Sequence, residues 1–323
     1  MDKSVDPVLA EREGRVGRIT LNRPKALNAL TLDMINAITV ALEIWRDDPA
    51  VHLIVIESSS DRAFCAGGDV RSVRDWVLAD RSQDVETFFV LEYALNRTIA
   101  RYPKPYISLI DGICMGGGIG LSIHGTFRVA TEHATFAMPE TQLGLFPDVG
   151  GSYFLPRLRG AFGMYLGLTS TRVGAADACW LGIATHYITR AEIPGLRANL
   201  ADHGIGALSR YTVPPPQTDL AAIEADVNRI FGQTSLPAII GSLESKDTSW
   251  AEAALAGLRS ASPNALNWTF DLLKAGVDRT FEQCQRAETL LTQHACSHPD
   301  FAEGVRANVV DKDRTPKWLP LDV

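Results

Sequence analysis

The run Leu53-Ile54-Val55-Ile56, inside the segment Val51–Glu57, constrains this chain more than any other feature. It is apolar without interruption, mostly β-branched, and closes on polar residues. A strand without polar alternation is covered on both faces, which places it in a parallel sheet. Parallel neighbours need long crossovers, usually helical ones, and the flanking sequence supplies them. Upstream, Thr31 is a candidate N-cap with Asp33 in the first turn, and Ile35, Ile38, Leu42 and Trp45 recur at helical spacing. Downstream, helical periodicity returns from Val85 to Tyr102. A second strand spans the segment 105–112, a short helix the segment 115–125, and two further strands the segment 127–140. Two opening strands, 8–13 and 16–22, flank Gly14, which can supply their turn. The alternation implies α/β units with right-handed crossovers.

Beyond the run Pro214-Pro215-Pro216 the pattern is mainly helical, with apolar faces marked by Leu255 and Leu258, Leu272 and Leu273, and Leu290 and Leu291. Consecutive prolines cannot continue a helix and favour an extended linker. The expected organisation is therefore an α/β core over 1–210 and a helical region over 220–323. At 323 residues the chain can bury a core without disulfide or metal staples. Its net charge of −7 argues against broad nucleic-acid binding while leaving room for a local basic cleft. Cys65, Cys114, Cys179, Cys284 and Cys296 are an odd number without a Cys-x-x-Cys pair, so free thiols and a reducing compartment are expected. His124, His133 and His186 lack paired ligand spacing, so no metal site is expected. No apolar run reaches membrane-spanning length, and the charged first residues resemble neither a signal nor a transit peptide. The default expectation is a cytoplasmic protein without membrane or nucleic-acid partners.

Chemistry concentrates in a few places. Glycines cluster after two predicted strands, at Ala66-Gly67-Gly68-Asp69 and at Gly116-Gly117-Gly118. The second cluster enters a helix, whose first amides have no intrahelical acceptor and can hold an oxyanion. Tight strand-to-helix packing also needs small residues, and it is the plainer reading of either cluster taken alone. Neither cluster has the Lys-Ser/Thr ending of a phosphate loop. Glu92 lies on a helical stripe with Phe88, Leu95 and Ile99, which puts a carboxylate on an apolar face; if the stripe bends there, Glu92 is simply exposed. Glu140 and Asp148 stand eight positions apart across a glycine- and proline-containing segment. Such a pair can divide nucleophile, base and water-orienting roles. The plain alternatives are a surface turn for Glu140 and a helix N-cap for Asp148.

Taken together, Asn22–Leu30, Ala63–Val70 and the glycine block after Asp111-Gly112-Ile113-Cys114-Met115 resemble the crotonase (enoyl-CoA hydratase/isomerase) superfamily in order and spacing. The resemblance implies a crotonase-type spiral of ββα units with a helical C-terminal region. It implies an acyl-CoA substrate, with Gly68 and Gly117 donating two oxyanion-hole amides. Ala66, Gly68 and Val70 would line the nucleotide side of the CoA site, and Lys25, Ala26 and Leu27 would approach CoA from the other side. It implies no cofactor, CoA being part of the substrate, and allows the homo-oligomers that the superfamily often forms. One departure stands out. Hydratases of the superfamily carry a glutamate where this chain has Gly120, while their second glutamate corresponds to Glu140.

A narrower resemblance rests on Gly67–Arg71, on Phe136–Leu158 and on the tail Phe301–Trp318. These segments are similar to the superfamily's hydrolases of 3-hydroxyisobutyryl-CoA. That likeness makes Glu92, Gly117, Glu140 and Asp148 the substrate-contacting and catalytic positions, and thioester hydrolysis in valine breakdown the activity. An enoyl-CoA hydratase or isomerase, and a non-catalytic CoA-binding or assembly protein, are the rival expectations.

Overall fold

In the computed structural model, which describes residues 6–322, the Leu53–Ile56 run is buried throughout, as its composition requires. The strands in chain order are β1 (Val8–Glu13), β2 (Val16–Leu21), β3 (Leu53–Ser58), β4 (Ala63–Cys65), β5 (Tyr106–Ile110), β6 (Ile113–Met115), β7 (Phe127–Ala130), β8 (Thr135–Ala137), β9 (Val173–Gly174) and β10 (His186–Tyr187). The first helices are α1 (Leu32–Arg46), α2 (Val70–Leu78), α3 (Ser82–Ala100), α4 (Gly117–Ile123), α5 (Gly151–Phe154), α6 (Phe162–Thr169) and α7 (Ala175–Leu181). They are followed by α8 (Ile193–His203), α9 (Leu208–Tyr211), α10 (Glu224–Phe231), α11 (Leu236–Glu244) and α12 (Ser249–Ser260). The chain closes with α13 (Pro263–Gly276), α14 (Phe281–Ser297) and α15 (Pro299–Val305).

The strands form two sheets, ordered β1-β2-β3-β5-β7-β10 and β4-β6-β8-β9. In the larger, β1 and β2 are antiparallel across the Gly14 turn, and β2, β3, β5, β7 and β10 run parallel. Successive strands alternate between the sheets, with β3, β5 and β7 in the large one and β4, β6 and β8 in the small one. Each passage of chain thus contributes one strand to each sheet, and helices separate the first passages: a ββα spiral. Val16, Leu53, Val55, Ile107, Leu109 and Val129 form one face of the large sheet against Leu196, Leu200 and Leu208. Full burial of such side chains stabilises by roughly 1.5–3 kcal/mol each. Thr31 caps α1 by accepting from the Met34 amide, and Ile35, Ile38, Leu42 and Trp45 are buried along it, as their spacing predicts.

The chain groups into two compact units that are discontinuous in sequence. One holds the residues up to Gly68 with Leu91–Phe136 and Val173–Thr218; the other holds Asp69–Val90, Ala137–Arg172 and the residues from Asp219 on. The end of the proline-rich segment thus marks a change of unit. The expected division into 1–210 and 220–323 nevertheless differs from this grouping, because α2 packs with α15, and α5 and α6 pack with α13. The sequence reading also passed over α2, whose N-cap Asp69 accepts from the Ser72 amide. A second correction concerns α14. Leu290 is 68% exposed, and the buried face is Cys284, Gln285, Glu288, Thr292, Ala295 and Cys296. A leucine doublet points in two directions on a helix, and here the inward stripe is polar at its centre. Among the described residues no helix is long and apolar enough to cross a membrane.

Candidate active site

In the first unit, the two glycine clusters close on one another. β6 ends at Met115, and Gly116 (φ +50°, ψ −121°) takes a conformation that requires glycine. That kink makes Gly117 the first residue of α4, where an amide has no intrahelical acceptor. A Cβ placed on Gly117 would lie 2.3 Å from Glu92 Oε1, 3.2 Å from the Gly68 amide nitrogen and 3.2 Å from Leu30 Cδ1. The backbone of Gly117, the Gly68 amide and the Glu92 carboxylate therefore border one volume that a single methyl would fill. Gly118 has a different reason to be glycine: a Cβ there would lie 2.3 Å from the Cys65 carbonyl oxygen. The packing reading of the cluster thus applies at Gly118, while Gly117 faces the volume beside the Gly68 amide.

The segments assigned to CoA by resemblance lie side by side. Pro24–Ala26 form a 3₁₀ turn that ends in two left-handed residues, Leu27 (φ +51°) and Asn28 (φ +54°). The Ala66 amide donates to the Leu27 carbonyl (3.0 Å) and the Leu30 amide to the Gly67 carbonyl (2.8 Å). Lys25 is exposed, Ala26, Leu27 and Ala66 are half-buried, and Val70 opens α2. Asn28, which the sequence reading missed, holds this arrangement. Fully buried, it accepts from the Arg23 amide (2.8 Å) and donates to Ser58 Oγ (2.7 Å) and the Phe64 carbonyl (2.9 Å). Asparagine tolerates left-handed backbone, the only hint its sequence context offered.

Glu92 is 3% exposed, which removes the alternative of a bent, solvated stripe. Burial pushes the neighbouring Cys65 thiol up to about 12, and the Glu92 charge adds to that rise.

In the second unit, Glu140 and Asp148 are both buried. Glu140 is not on a surface turn. It opens the 3₁₀ turn Glu140–Leu143, which is tied down on several sides. The Ser262 amide donates to the Thr141 carbonyl (3.1 Å), Gln142 Nε2 to the Gly257 carbonyl (2.9 Å) and Asn308 Nδ2 to the Gln142 carbonyl (2.7 Å). Asp148 is not an N-cap either, since Gly150 occupies that position on α5. The segment that bears Asp148 is held from α14 by Glu288, which accepts from the amides of Gly150 (2.8 Å) and Ser152 (2.9 Å) and from the Ser152 hydroxyl. Burial pushes the Glu288 carboxyl up, while the Ser152 hydroxyl and the two amides pull it back. No sequence signal marked Glu288, because the leucine doublet beside it drew the helix face elsewhere.

The histidines have structural settings: His124 ends α4, His133 is exposed beside Glu132, and His186 packs edge-on to Phe127. Among the described residues no group of three or more His, Cys, Asp or Glu is arranged to hold a metal. All five cysteines are free.

A spiral of paired sheets, with glycine amides drawn together at the mouth of a helix, defines a class. Residues 16–323 match the family model described as enoyl-CoA hydratase/isomerase, and the chain belongs to this crotonase family. Within it, the chain is 44% identical to the mitochondrial 3-hydroxyisobutyryl-CoA hydrolase of Xenopus tropicalis, over 97% of this chain and 84% of that one. The human protein of the same name is 41% identical, over 99% and 86%. Among solved structures, an enoyl-CoA hydratase from Rhodobacter sphaeroides 2.4.1 superposes with a TM-score of 0.91 at 39% identity, covering 98% of this chain and 93% of that one. A carnitinyl-CoA dehydratase from Mycobacterium thermoresistibile gives 0.93 at 35%, covering 97% and 92%.

Proposed function

We propose that this chain hydrolyses the thioester of 3-hydroxyisobutyryl-CoA, releasing 3-hydroxyisobutyrate and CoA as a step of valine breakdown. The observation that carries the proposal is the pair of buried acids, Glu140 and Asp148, each on a short segment tied down by hydrogen bonds. The names of the hydrolase relatives support the same reading.

In the proposed reaction the thioester oxygen accepts hydrogen bonds from the Gly68 and Gly117 amides. Preorganised donors at a developing oxyanion are usually the largest single contribution to acyl transfer. Glu140 either attacks the carbonyl carbon, forming a mixed anhydride and expelling CoA thiolate, or takes a proton from the attacking water. Asp148 orients or deprotonates that water, and Glu92 accepts a hydrogen bond from the substrate hydroxyl or fixes the acids. Lys25, Ala26, Leu27, Ala66, Gly68 and Val70 contact the CoA portion. Water and the thioester supply every atom of the products, so the reaction needs no cofactor.

The dehydratase and hydratase names of the solved relatives favour a second reading, reversible water addition to an enoyl-CoA. Against it stands Gly120, buried within α4, where hydratases place an acid. A panel of acyl-CoAs assayed for free thiol decides between them. The proposal expects CoA release from short 3-hydroxyacyl-CoAs. Hydration of crotonyl-CoA without thiol release would overturn it, and no turnover of any member would leave a CoA-binding protein.

A further inference from the structure

The segment that follows Asp148 is strained. Val149 is a β-branched residue at φ +49°, buried to 1% exposure, and Gly150 follows at φ +85°. Left-handed backbone is a genuine outlier for a β-branched residue. Such outliers persist only where the surroundings over-determine them, and they cluster at functional sites. Backbone bonds close the turn, with the Gly151 amide donating to the Asp148 carbonyl (2.6 Å), and one buried side chain braces it from α14. Glu288 is wholly buried on α14, and its two carboxylate oxygens divide the donors that follow the strained residue. Oε2 takes the Gly150 amide at 2.8 Å. Oε1 takes the Ser152 amide at 2.9 Å together with the Ser152 hydroxyl. Hydrogen bonds to an ionised acceptor are roughly twice as strong as neutral ones. The same α14 face carries Cys296, whose thiol burial pushes up, with a smaller contribution from the Asp148 charge.

We propose that Glu288 is a positioning residue for the reaction: its carboxylate clamps the Gly150 and Ser152 donors, holds Val149 in its left-handed turn, and thereby sets the direction of the Asp148 carboxylate. This rests on the reading of Asp148 as a catalytic acid. Without the clamp the turn relaxes toward unstrained backbone, and because Asp148 is the residue next to the outlier, its Cα–Cβ direction turns with it. A leucine at position 288 would pack on α14 but leave the amides of Gly150 and Ser152 without an acceptor. The carboxylate on this buried face is therefore required by the loop and not by the helix.

The test uses the full chain with Glu288→Gln, which keeps size and one acceptor oxygen but presents an amide N–H to one of the loop's donors. The expected result is a fold unchanged by circular dichroism, KM for the acyl-CoA within about threefold, and kcat lowered roughly ten- to hundred-fold, the scale of one charge-assisted hydrogen bond. Asp148→Asn and the double variant are assayed beside it. Residues that act as one unit are not additive, so the double variant should be no slower than Asp148→Asn alone. A purely structural Glu288 would lower thermal stability and leave kcat of the folded protein near wild type, and a Glu288 acting independently of Asp148 would lower kcat by the same factor in both backgrounds; either kcat result overturns the proposal. If Asp148→Asn is itself fully active, the reading of Asp148 fails, a result distinct from the failure of Glu288. Should Glu288→Gln not fold, Ser152→Ala removes one hydroxyl from the clamp and carries the same comparison, with an expected three- to tenfold loss of kcat, about one neutral hydrogen bond. Unchanged kcat there overturns the proposal equally.

Discussion

Replacing Gly117 with alanine adds one methyl group to the volume shared by the Gly117 and Gly68 backbone and the Glu92 carboxylate, and so tests the oxyanion assignment together with the Glu92 contact. The new Cβ would sit 2.3 Å from Glu92 Oε1 and 3.2 Å from both the Gly68 nitrogen and Leu30 Cδ1. Optimal carbon contacts lie at about 3.5–4.0 Å, so the carboxylate must retreat, and the methyl occupies the space in front of the Gly68 amide. Glu92 is buried on α3 and has little freedom to swing away. Losing or misdirecting one oxyanion donor costs roughly 3–4 kcal/mol in the transition state, a fall in kcat of about 10²- to 10³-fold. Folding should survive, because Gly117 is at a helical position, where alanine is preferred to glycine by up to about 1 kcal/mol. The assay follows thiol release from 3-hydroxyisobutyryl-CoA, with circular dichroism and a thermal melt on the same sample. A folded variant that keeps kcat within about threefold of wild type would refute the reasoning, since an oxyanion hole cannot absorb a methyl group at that distance.

Glu140→Gln keeps the size of the side chain and removes its charge; turnover should fall by at least about 100-fold with acyl-CoA binding retained by calorimetry, the scale of acid–base contributions, and near-wild-type turnover would remove Glu140 from the mechanism. Gly120→Glu puts a carboxylate into the buried α4 segment, where it should lower thiol release and yield at most trace hydration of crotonyl-CoA, followed by loss of enoyl absorbance; a gain in thioester hydrolysis would contradict the role given to Gly120. Burial raises Cys65 to about 12 and Cys179 to about 11, so both thiols stay protonated at pH 8. With the other cysteines buried, Ellman's reagent should label only the half-buried Cys179 in native protein, and slowly, while all five react in guanidinium; fast labelling of two or more native thiols would contradict the burial described.

Periodicity carried the α/β architecture because the elements that show it are those with a single environment along their length. β3 is covered on both faces and α1 on one, so their patterns are unmixed. α14 defeats the same reasoning: its inward face is Glu288 and Thr292 as much as Ala295, and a polar residue turned inward to serve a loop is invisible to a hydrophobic count. The division of the chain into units was equally hidden, since nothing local in 69–90 or 137–172 says which helices those segments will pack against. The candidate site was legible as residue types in a familiar order. The burial of Glu92, Glu140 and Asp148, which separates each from its plainer alternative, became visible only in three dimensions. Asn28 and Glu288 share one property: each supports the backbone of a candidate-site segment through hydrogen bonds to residues that no sequence spacing connects to it.

The central claim is that this protein breaks the bond between acyl carbon and sulfur, and oxygen-18 water tests it most directly. 3-Hydroxyisobutyryl-CoA and crotonyl-CoA are each turned over many times in labelled water, and the products are weighed by mass spectrometry. The account predicts free CoA together with 3-hydroxyisobutyrate carrying one heavy oxygen in its carboxylate, and an intact crotonyl thioester. A single turnover then separates the two roles of Glu140, because an anhydride opened at the glutamyl carbon leaves the label in the protein. Label in the hydroxyl of a hydroxybutyryl-CoA, with the thioester unbroken and no heavy carboxylate formed from the hydroxy ester, would contradict the account and make the protein a hydratase.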